Sequence, residues 1–286
     1  MPIKHHIAKI LLVRLENLKK EYNPVRDLKN GFIAVFFVCL VIFLAFYNEL
    51  LPVYKTWAGQ TTQVKWSYLA ELLKVIAPLI AGVVMLWQGY NGKLLATVKQ
   101  YVRIMGIGIL LIGVGAYIEF HSRAFLNINP PAFNLATILF VIGAILVAWS
   151  LFEYPNRLGA SMSKIQGVIF VSILSIVVAG TIIIMITSET GTPLDILSQC
   201  AYVLLILVVF AGALRCVIVF LEGRIGRPFL LIAIGSLSVA VYIYYVWLPY
   251  VVNMSVYNYM NILWIGAFLI TTLGAMDMSL SGVDEL

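Results

Sequence analysis

Residues 102–120 read VRIMGIGILLIGVGAYIEF, with charges only near the two ends and four glycines between them. A helix needs ~20 mostly apolar residues to cross the hydrocarbon core, because each residue adds ~1.5 Å along its axis. Apolar residues here do not alternate with polar ones, so a membrane barrel strand is excluded. The stretch therefore predicts a membrane-spanning helix, which satisfies its own backbone polar groups.

Seven further stretches of this kind fill most of the chain. Hydrophobic residues make up 62% and charged residues 11% of the 286, far from the balance of a soluble domain. The predicted spans are 31–53, 67–90, 102–120, 132–153, 165–187, 196–221, 229–249 and 258–280. The predicted fold class is all-α, a polytopic transmembrane helical bundle of eight spans in tandem hairpins. An amphipathic N-terminal interfacial helix precedes the first span.

Basic residues are distributed unevenly between the two sides of this bundle. Fourteen lie in the amino-terminal segment and in alternate connections, whereas the other side has three, Lys55, Lys65 and Arg123. The positive-inside rule then places both termini in the cytoplasm, which requires an even number of spans and so agrees with eight. We expect a multi-pass cell-membrane protein. Its segments are a cytoplasmic basic amphipathic segment (1–30), a transmembrane domain (31–280) and a short cytoplasmic tail (281–286).

The segment 1–30 carries the amphipathic pattern. Apolar residues follow one helical stripe at spacings of four, four, three and four: Ile7, Leu11, Leu15, Leu18 and Tyr22. The basic residues expected to meet the membrane surface or a partner are Lys4, Lys9, Arg14, Lys19 and Lys20. Such a helix usually lies among the headgroups, where anionic inner-leaflet lipids attract basic residues. Docking onto a cytoplasmic partner is the alternative.

A small-residue step recurs midway along four of the predicted spans. The steps are Ile80-Ala81-Gly82, Ile142-Gly143-Ala144, Ala211-Gly212-Ala213 and Ile265-Gly266-Ala267. Three of these spans end near a breaker, at Gly89, Pro155 and Gly223, separated by 66 and 68 residues. One interpretation is an internal repeat of helical hairpins. The other is that small residues recur wherever membrane helices approach closely.

The four glycines of residues 102–120 form two pairs. Gly106 and Gly113 are seven residues apart, as are Gly108 and Gly115. Residues at this spacing lie near one helix face, and small residues allow neighbouring backbones to touch. We expect close packing on both faces, with a groove for a ligand or lipid tail as the alternative.

Ionisable residues inside spans are the first candidates for a site, because a charge in hydrocarbon costs at least ~2.5–3.5 kcal/mol. Glu71 and Lys74 are three residues apart and therefore neighbours on one face of the second span. One interpretation is a self-satisfied ion pair. The other is an outer polar pocket formed by Glu49, Glu71, Lys74 and Glu119, next to a helix loosened by Pro78.

Arg215 lies nearly two turns from the inner end of the sixth span. A guanidinium group at that depth should pair with an acid or line a wet cavity. Glu153 and Asp277 are predicted at a similar depth, so the sequence predicts an intramembrane ion pair of Arg215 with Glu153 or Asp277.

Aromatic residues gather near the outer end of the seventh span: Tyr242, Tyr244, Tyr245, Trp247 and Tyr250. Tyrosine and tryptophan are enriched at headgroup level, so the cluster predicts an interfacial belt.

Histidine occurs only as His5, His6 and His121, outside the middle of every predicted span. A membrane haem needs axial ligands inside the bilayer, and a zinc centre needs several nitrogen or sulfur ligands. No P-loop, GxSxG or HExxH pattern occurs. We therefore expect no cofactor and no enzymatic activity. The expected partners are the lipid bilayer and other membrane protein subunits, with no direct nucleic-acid site.

Three functional hypotheses follow. The first is a non-catalytic integral subunit of a larger membrane assembly, for translocation, transport or electron transfer. The second is a membrane sensory module that acts through a separate output protein. The third is a stand-alone small-solute transporter, although such carriers usually place polar residues near the membrane midplane.

Overall fold

The computed structural model describes residues 53–57, 60–64, 67–92, 94–126, 134–187, 193–220, 226–247 and 254–278. The first predicted span, 31–53, and the amphipathic segment lie almost entirely outside these ranges. So do Lys4, Lys9, Arg14, Lys19 and Lys20.

A two-stranded antiparallel hairpin precedes the helices. The predicted all-α fold class does not include this hairpin. Strands β1 (Val53–Trp57) and β2 (Gln60–Val64) pair in a register that sets Trp57 opposite Gln60. Both strands are rich in β-branched and aromatic residues, which favour a pleated backbone. Only two residues separate them, a length typical of tight hairpins.

Seven helices follow within the described ranges. They are α1 (Ser67–Asn91), α2 (Ala96–Ala124), α3 (Leu135–Arg157), α4 (Lys164–Thr187), α5 (Pro193–Val219), α6 (Gly226–Trp247) and α7 (Met254–Met278). Each covers one predicted span with small differences at the ends. At the start of α3, Asn134 Oδ1 accepts a hydrogen bond from the Thr137 amide at 3.0 Å, which caps the helix.

Two predicted breakers do not end their helices. Pro155 lies inside the last turn of α3, and Gly89 lies within α1, which continues to Asn91. At Gly89, the Arg103 side chain of α2 occupies the space that a Cβ would need, and its Nε donates to the Gly89 carbonyl at 2.9 Å. Gly89 therefore marks a close contact between helices instead of a helix end.

Six of the helices close into a ring. Going around it, α1 packs on α2, α2 on α3, α3 on α5, α5 on α6, α6 on α7, and α7 returns to α1. Helix α4 stands outside the ring and packs mainly on α5. One hydrogen bond between these two helices runs from Gln166 Nε2 to the Ile218 carbonyl at 3.0 Å.

The glycine pairs of α2 confirm the predicted packing on two faces. A Cβ at Gly106 or Gly113 would meet Leu86 or Leu79 of α1, whereas one at Gly108 would meet the backbone of α3. Gly115 likewise faces the Ala136 carbonyl of α3. Backbone contact of this kind is how membrane helices gain van der Waals energy.

The small-residue steps behave similarly at three of their four positions. Gly82, Gly143 and Gly212 each face a side chain or backbone atom of a neighbouring helix. Gly266 has no atom of the described residues within 4 Å of its Cβ position. These contacts support close approach as the reason for the small residues. The internal repeat stays a prediction.

Within the part of the chain that the structure describes, the six ring helices are long and apolar enough to cross a membrane. Helix α4 has a shorter apolar stretch among the described residues, from Lys164 to Gly180, although the helix itself continues to Thr187. Length and composition thus support a membrane-embedded helical bundle.

Candidate functional site

A polar cluster closes one end of the ring, where α1, α3, α5 and α7 begin and α2 and α6 end. It comprises Glu71 and Lys74 from α1, Tyr242 from α6, and Asn261 and Trp264 from α7. We call these five residues the polar end cluster. The sequence predicts that this end faces outwards.

Glu71 and Lys74 form an ion pair, with Lys74 Nζ 3.1 Å from Glu71 Oε2. The Glu71 side chain is 18% exposed and the Lys74 side chain is 10% exposed, so the ion pair is largely buried. Lys74 Nζ also lies 5.2 Å from the centre of the Tyr242 ring, within the range of a cation–π contact. The structure brings these two predicted site residues together and anchors their charge against α6.

Asn261 connects the ion pair to the rest of the ring. Its Nδ2 donates to Glu71 Oε1 at 3.3 Å, and its Oδ1 accepts from the Tyr242 hydroxyl at 3.5 Å. The side chain is almost fully buried, at 1% exposed. A buried amide without partners would be costly, and here both ends of the amide are bonded across helices.

Trp264 repairs a break in α1. Pro78 has no N–H, so the carbonyl of Lys74, four residues earlier, lacks its helical donor. The Trp264 indole Nε1 donates to that carbonyl at 3.0 Å. A side chain of α7 thus supplies the hydrogen bond that the proline removes.

An aromatic layer lies beside the cluster. The Trp264 ring centre is 5.2 Å from that of Tyr242, 5.1 Å from Phe268 and 6.0 Å from Phe140, and the Phe140 ring stacks on it. Phe140 also meets Tyr202 edge-on at 5.3 Å. The layer joins α3, α5, α6 and α7 beneath the ion pair.

The other two residues predicted for the outer pocket, Glu49 and Glu119, are not among the five residues of the polar end cluster. Glu119 is half-buried near the end of α2 and lies within electrostatic range of Tyr202. Glu49 lies outside the described residues. Tyr242 was expected in an interfacial belt, but it is 5% exposed and turned into the ring, because its hydroxyl and ring serve Asn261 and Lys74.

At the other end of the ring, the expected ion pair of Arg215 with Glu153 or Asp277 does not form. Arg215 Nη1 donates to the Phe152 carbonyl and Nη2 to Asn156 Oδ1, each at 2.6 Å. Two neutral oxygens near the end of α3 therefore accept hydrogen bonds from the guanidinium group in place of a carboxylate.

The two acids have other partners. Glu153 Oε2 lies 3.5 Å from Arg157 Nε, one turn further along α3, and Asp277 Oδ2 lies 3.3 Å from Arg227 Nε of α6. Asn156 Nδ2 also donates to Glu153 Oε1 at 3.3 Å, so Arg215 reaches Glu153 only through an amide.

Cys216 repeats at this end what Trp264 does at the other. Pro155 leaves the Leu151 carbonyl without its helical donor, and the Cys216 Sγ donates to that carbonyl at 3.1 Å. Cys216 is buried, so this hydrogen bond lies inside the bundle.

The sequence did not predict Asn261 and Trp264 as members of the site. Asn261 could have been noticed as an amide within an apolar span. Pro78 indicates that a donor from elsewhere in the chain must bond the Lys74 carbonyl, and Trp264 is that donor. Nothing local, however, identifies a partner 190 residues away.

The described ranges contain no group of three His, Cys, Asp or Glu side chains placed to share a metal ion. No family model, curated protein or solved structure matches the chain.

We expect Trp264→Phe to lower the free energy of unfolding by about 1–2 kcal/mol, because it leaves the Lys74 carbonyl buried without a donor. In a Pro78→Ala background, alanine restores the missing N–H, and the same substitution should cost clearly less. Denaturant unfolding of all four variants in detergent measures this coupling. Equal losses in both backgrounds would contradict the repair role.

Proposed function

We propose that this protein is a non-catalytic integral subunit of a larger membrane assembly and that α4 is the helix that meets the partner. The ring helices contact one another around a closed circuit, whereas α4 is attached at its side. The large aliphatic residues of α4 are strongly exposed, with Ile165 at 74% and Ile176 at 72%.

The observation that carries the proposal is the hydrogen bonding of the serine hydroxyl groups on α4, compared with that of hydroxyl groups on the ring helices. On the ring helices, Ser122, Ser150, Ser236, Ser238, Thr271 and Thr272 each donate to a carbonyl of their own helix. Ser172 and Ser175 of α4 are exposed and have no hydrogen-bond partner within the described residues. Hydroxyl groups in such a position favour association with another membrane helix.

These serines belong to a regular stripe. Ile165, Val168, Ser172, Ser175 and Ala179 are all exposed and follow spacings of three, four, three and four. This is the spacing of a seam between two helices. We call these five residues the α4 seam.

A membrane helix of another protein chain, with a hydrogen-bonding side chain at mid-depth, fits the α4 seam. Serine and alanine permit close approach, and each serine hydroxyl can both donate and accept. The chain's own predicted span, 31–53, fits less well at mid-depth, because residues 32–46, FIAVFFVCLVIFLAF, contain no amide or hydroxyl side chain and Tyr47 and Asn48 follow them towards the end of the span.

The experiment is site-specific photo-crosslinking in native membranes. A photoreactive residue replaces Ser175, and a matched control replaces Ile234, a 44% exposed residue midway along ring helix α6. We expect Ser175 to crosslink to a distinct membrane protein and Ile234 to crosslink to none. A Ser172→Leu, Ser175→Leu variant should lose the assembly on native gels.

Three outcomes would overturn the proposal. Crosslinks from Ser175 only within the chain would indicate that its own predicted first span covers the α4 seam. Crosslinks only to a second copy would indicate a homo-oligomer. Crosslinks only to lipid, with an unchanged assembly in the double serine variant, would indicate a lipid-facing helix.

The polar end cluster favours the sensory module as a second candidate. Buried ionisable residues inside a membrane bundle are often functional, and Asn261 joins this ion pair of α1 to α7. A change in the environment of Glu71 would act on both α1 and α7. In that case Glu71→Gln would abolish signalling while leaving the assembly intact.

We further propose eight spans in the cell membrane with both termini in the cytoplasm. The arginine side chains that the structure describes, Arg103, Arg157, Arg215 and Arg227, gather at the end opposite the polar end cluster. This asymmetry supports a cytoplasmic location for that end.

Cysteine labelling tests this orientation. In a variant without the three native cysteines, we expect a membrane-impermeant maleimide applied to intact cells to modify Leu126→Cys, beyond α2, and not Ser161→Cys, between α3 and α4. Both positions are exposed. Modification of Ser161→Cys alone would reverse the orientation.

A further inference from the structure

A cavity of about 50 Å³ lies inside the ring. Five of the six ring helices contribute to its wall, including Met105, Ile112, Phe140, Val209, Val239 and Thr271. We propose that this central cavity binds a small apolar molecule of two or three heavy atoms, the size of a dissolved gas. The proposal rests on the ring alone and does not depend on the α4 seam.

The chemistry of the wall favours an apolar occupant over water. The two hydroxyls in the wall are those of Ser236 and Thr271, and each donates to a carbonyl of its own helix at 2.9 Å. The other lining side chains are apolar. A buried water molecule needs two to four polar partners, and this wall offers it no hydrogen-bond donor and only the two hydroxyl oxygens as acceptors.

The volume limits the size of the occupant. An apolar protein cavity of ~150 Å³ accepts benzene or xenon, and a single water needs ~10–15 Å³. The cavity here has about a third of the larger volume. That excludes a ring compound and leaves room for a xenon atom or a diatomic gas. Such molecules dissolve readily in hydrocarbon, so the surrounding lipid acts as their reservoir.

The cavity also adjoins the polar end cluster. Phe140 and Phe268 line the cavity, and both rings contact Trp264. An occupant that displaces either phenylalanine would change the environment of the Trp264 indole N–H, which is bonded to the Lys74 carbonyl. The indole proton is therefore an internal reporter of occupancy.

The test is a xenon titration of the detergent-solubilised protein, followed by isoleucine methyl and tryptophan indole resonances. We expect saturable shifts at the lining residues Ile109, Ile206 and Ile232 and at the Trp264 indole. Ile145 and Ile176 face outwards, with 50% and 72% exposure, and report xenon dissolved in the detergent. Their shifts should rise linearly without saturating.

Two adjacent substitutions provide the matched control. Val209 lines the cavity, whereas its neighbour Val208 is 47% exposed on the outside of α5. Val209→Phe should fill the cavity and abolish the saturable shifts, while Val208→Phe should retain them.

The titration of the unmodified protein decides the proposal even if Val209→Phe fails to fold. Linear shifts at Ile109 and Ile206, indistinguishable from those at Ile145, would show that the cavity takes no apolar ligand. Saturable shifts that persist in a folded Val209→Phe variant would place the xenon elsewhere. Either result would overturn the proposal.

Discussion

Replacing Glu71 with methionine is expected to lower the free energy of unfolding by about 3 kcal/mol, towards the low end for a broken buried ion pair. The substitution removes the carboxylate that lies 3.1 Å from the largely buried Lys74 ammonium group, and Asn261 loses its acceptor. The low end applies because the Glu71 side chain retains 18% exposure. Unfolding by denaturant titration in detergent micelles measures the loss.

Two control variants identify the cause. In the double variant Glu71→Met, Lys74→Met neither charge of the pair remains, and stability should return most of the way to the original, because apolar replacement of a buried pair is often neutral. Glu153→Gln removes one partner of a pair whose Arg157 is 55% exposed, and it should cost less than about 1 kcal/mol. A double variant as unstable as Glu71→Met would contradict a charge effect.

Replacing Gly108 with alanine is expected to lower the free energy of unfolding by about 2 kcal/mol, within the range for overpacking a close contact. The added methyl group would lie 2.5 Å from the Gly143 carbonyl oxygen and 2.9 Å from Val147 Cγ2. A backbone oxygen cannot rotate away, so α2 and α3 must separate along their contact.

Gly266→Ala is the matched control, because it makes the same chemical change midway along another ring helix. No atom of the described residues lies within 4 Å of the Cβ position at Gly266. Alanine favours a helix over glycine by about 1 kcal/mol, so this variant should be as stable as the original or slightly more stable. The two alanine substitutions therefore should act in opposite directions. Losses of the same size at both glycines would mean that helix packing is not the reason for Gly108.

The sequence predicts the helices well because hydrophobic length is a local property. Every predicted span from residue 67 onwards coincides with a helix, and the glycine pairs of α2 identify the faces that meet α1 and α3. The hairpin of β1 and β2 was missed because strands this short have no span-length signal. The positions of Gly89 and Pro155 were misjudged because a glycine or proline near a helix end can serve a contact instead of a stop.

The site is less predictable because its partners are distant in the chain. Glu71 and Lys74 are neighbours by spacing alone, and the sequence joins them correctly. Asn261 contacts Glu71 only after the ring closes. Arg215 was assigned an acidic partner on charge, but carbonyl and amide oxygens at the end of α3 lie nearer and satisfy it.

The donation from Trp264 to the Lys74 carbonyl also constrains how the chain is made. The two residues are 190 positions apart, which a ribosome translating ~5–20 residues per second covers in about 10–40 s. During that interval α1 has left the ribosome, while the Lys74 carbonyl and the Glu71 carboxylate still lack their partners on α7. Biogenesis must therefore shelter the first helix of the ring, in the insertion machinery or at a wet interface, until the last helix arrives.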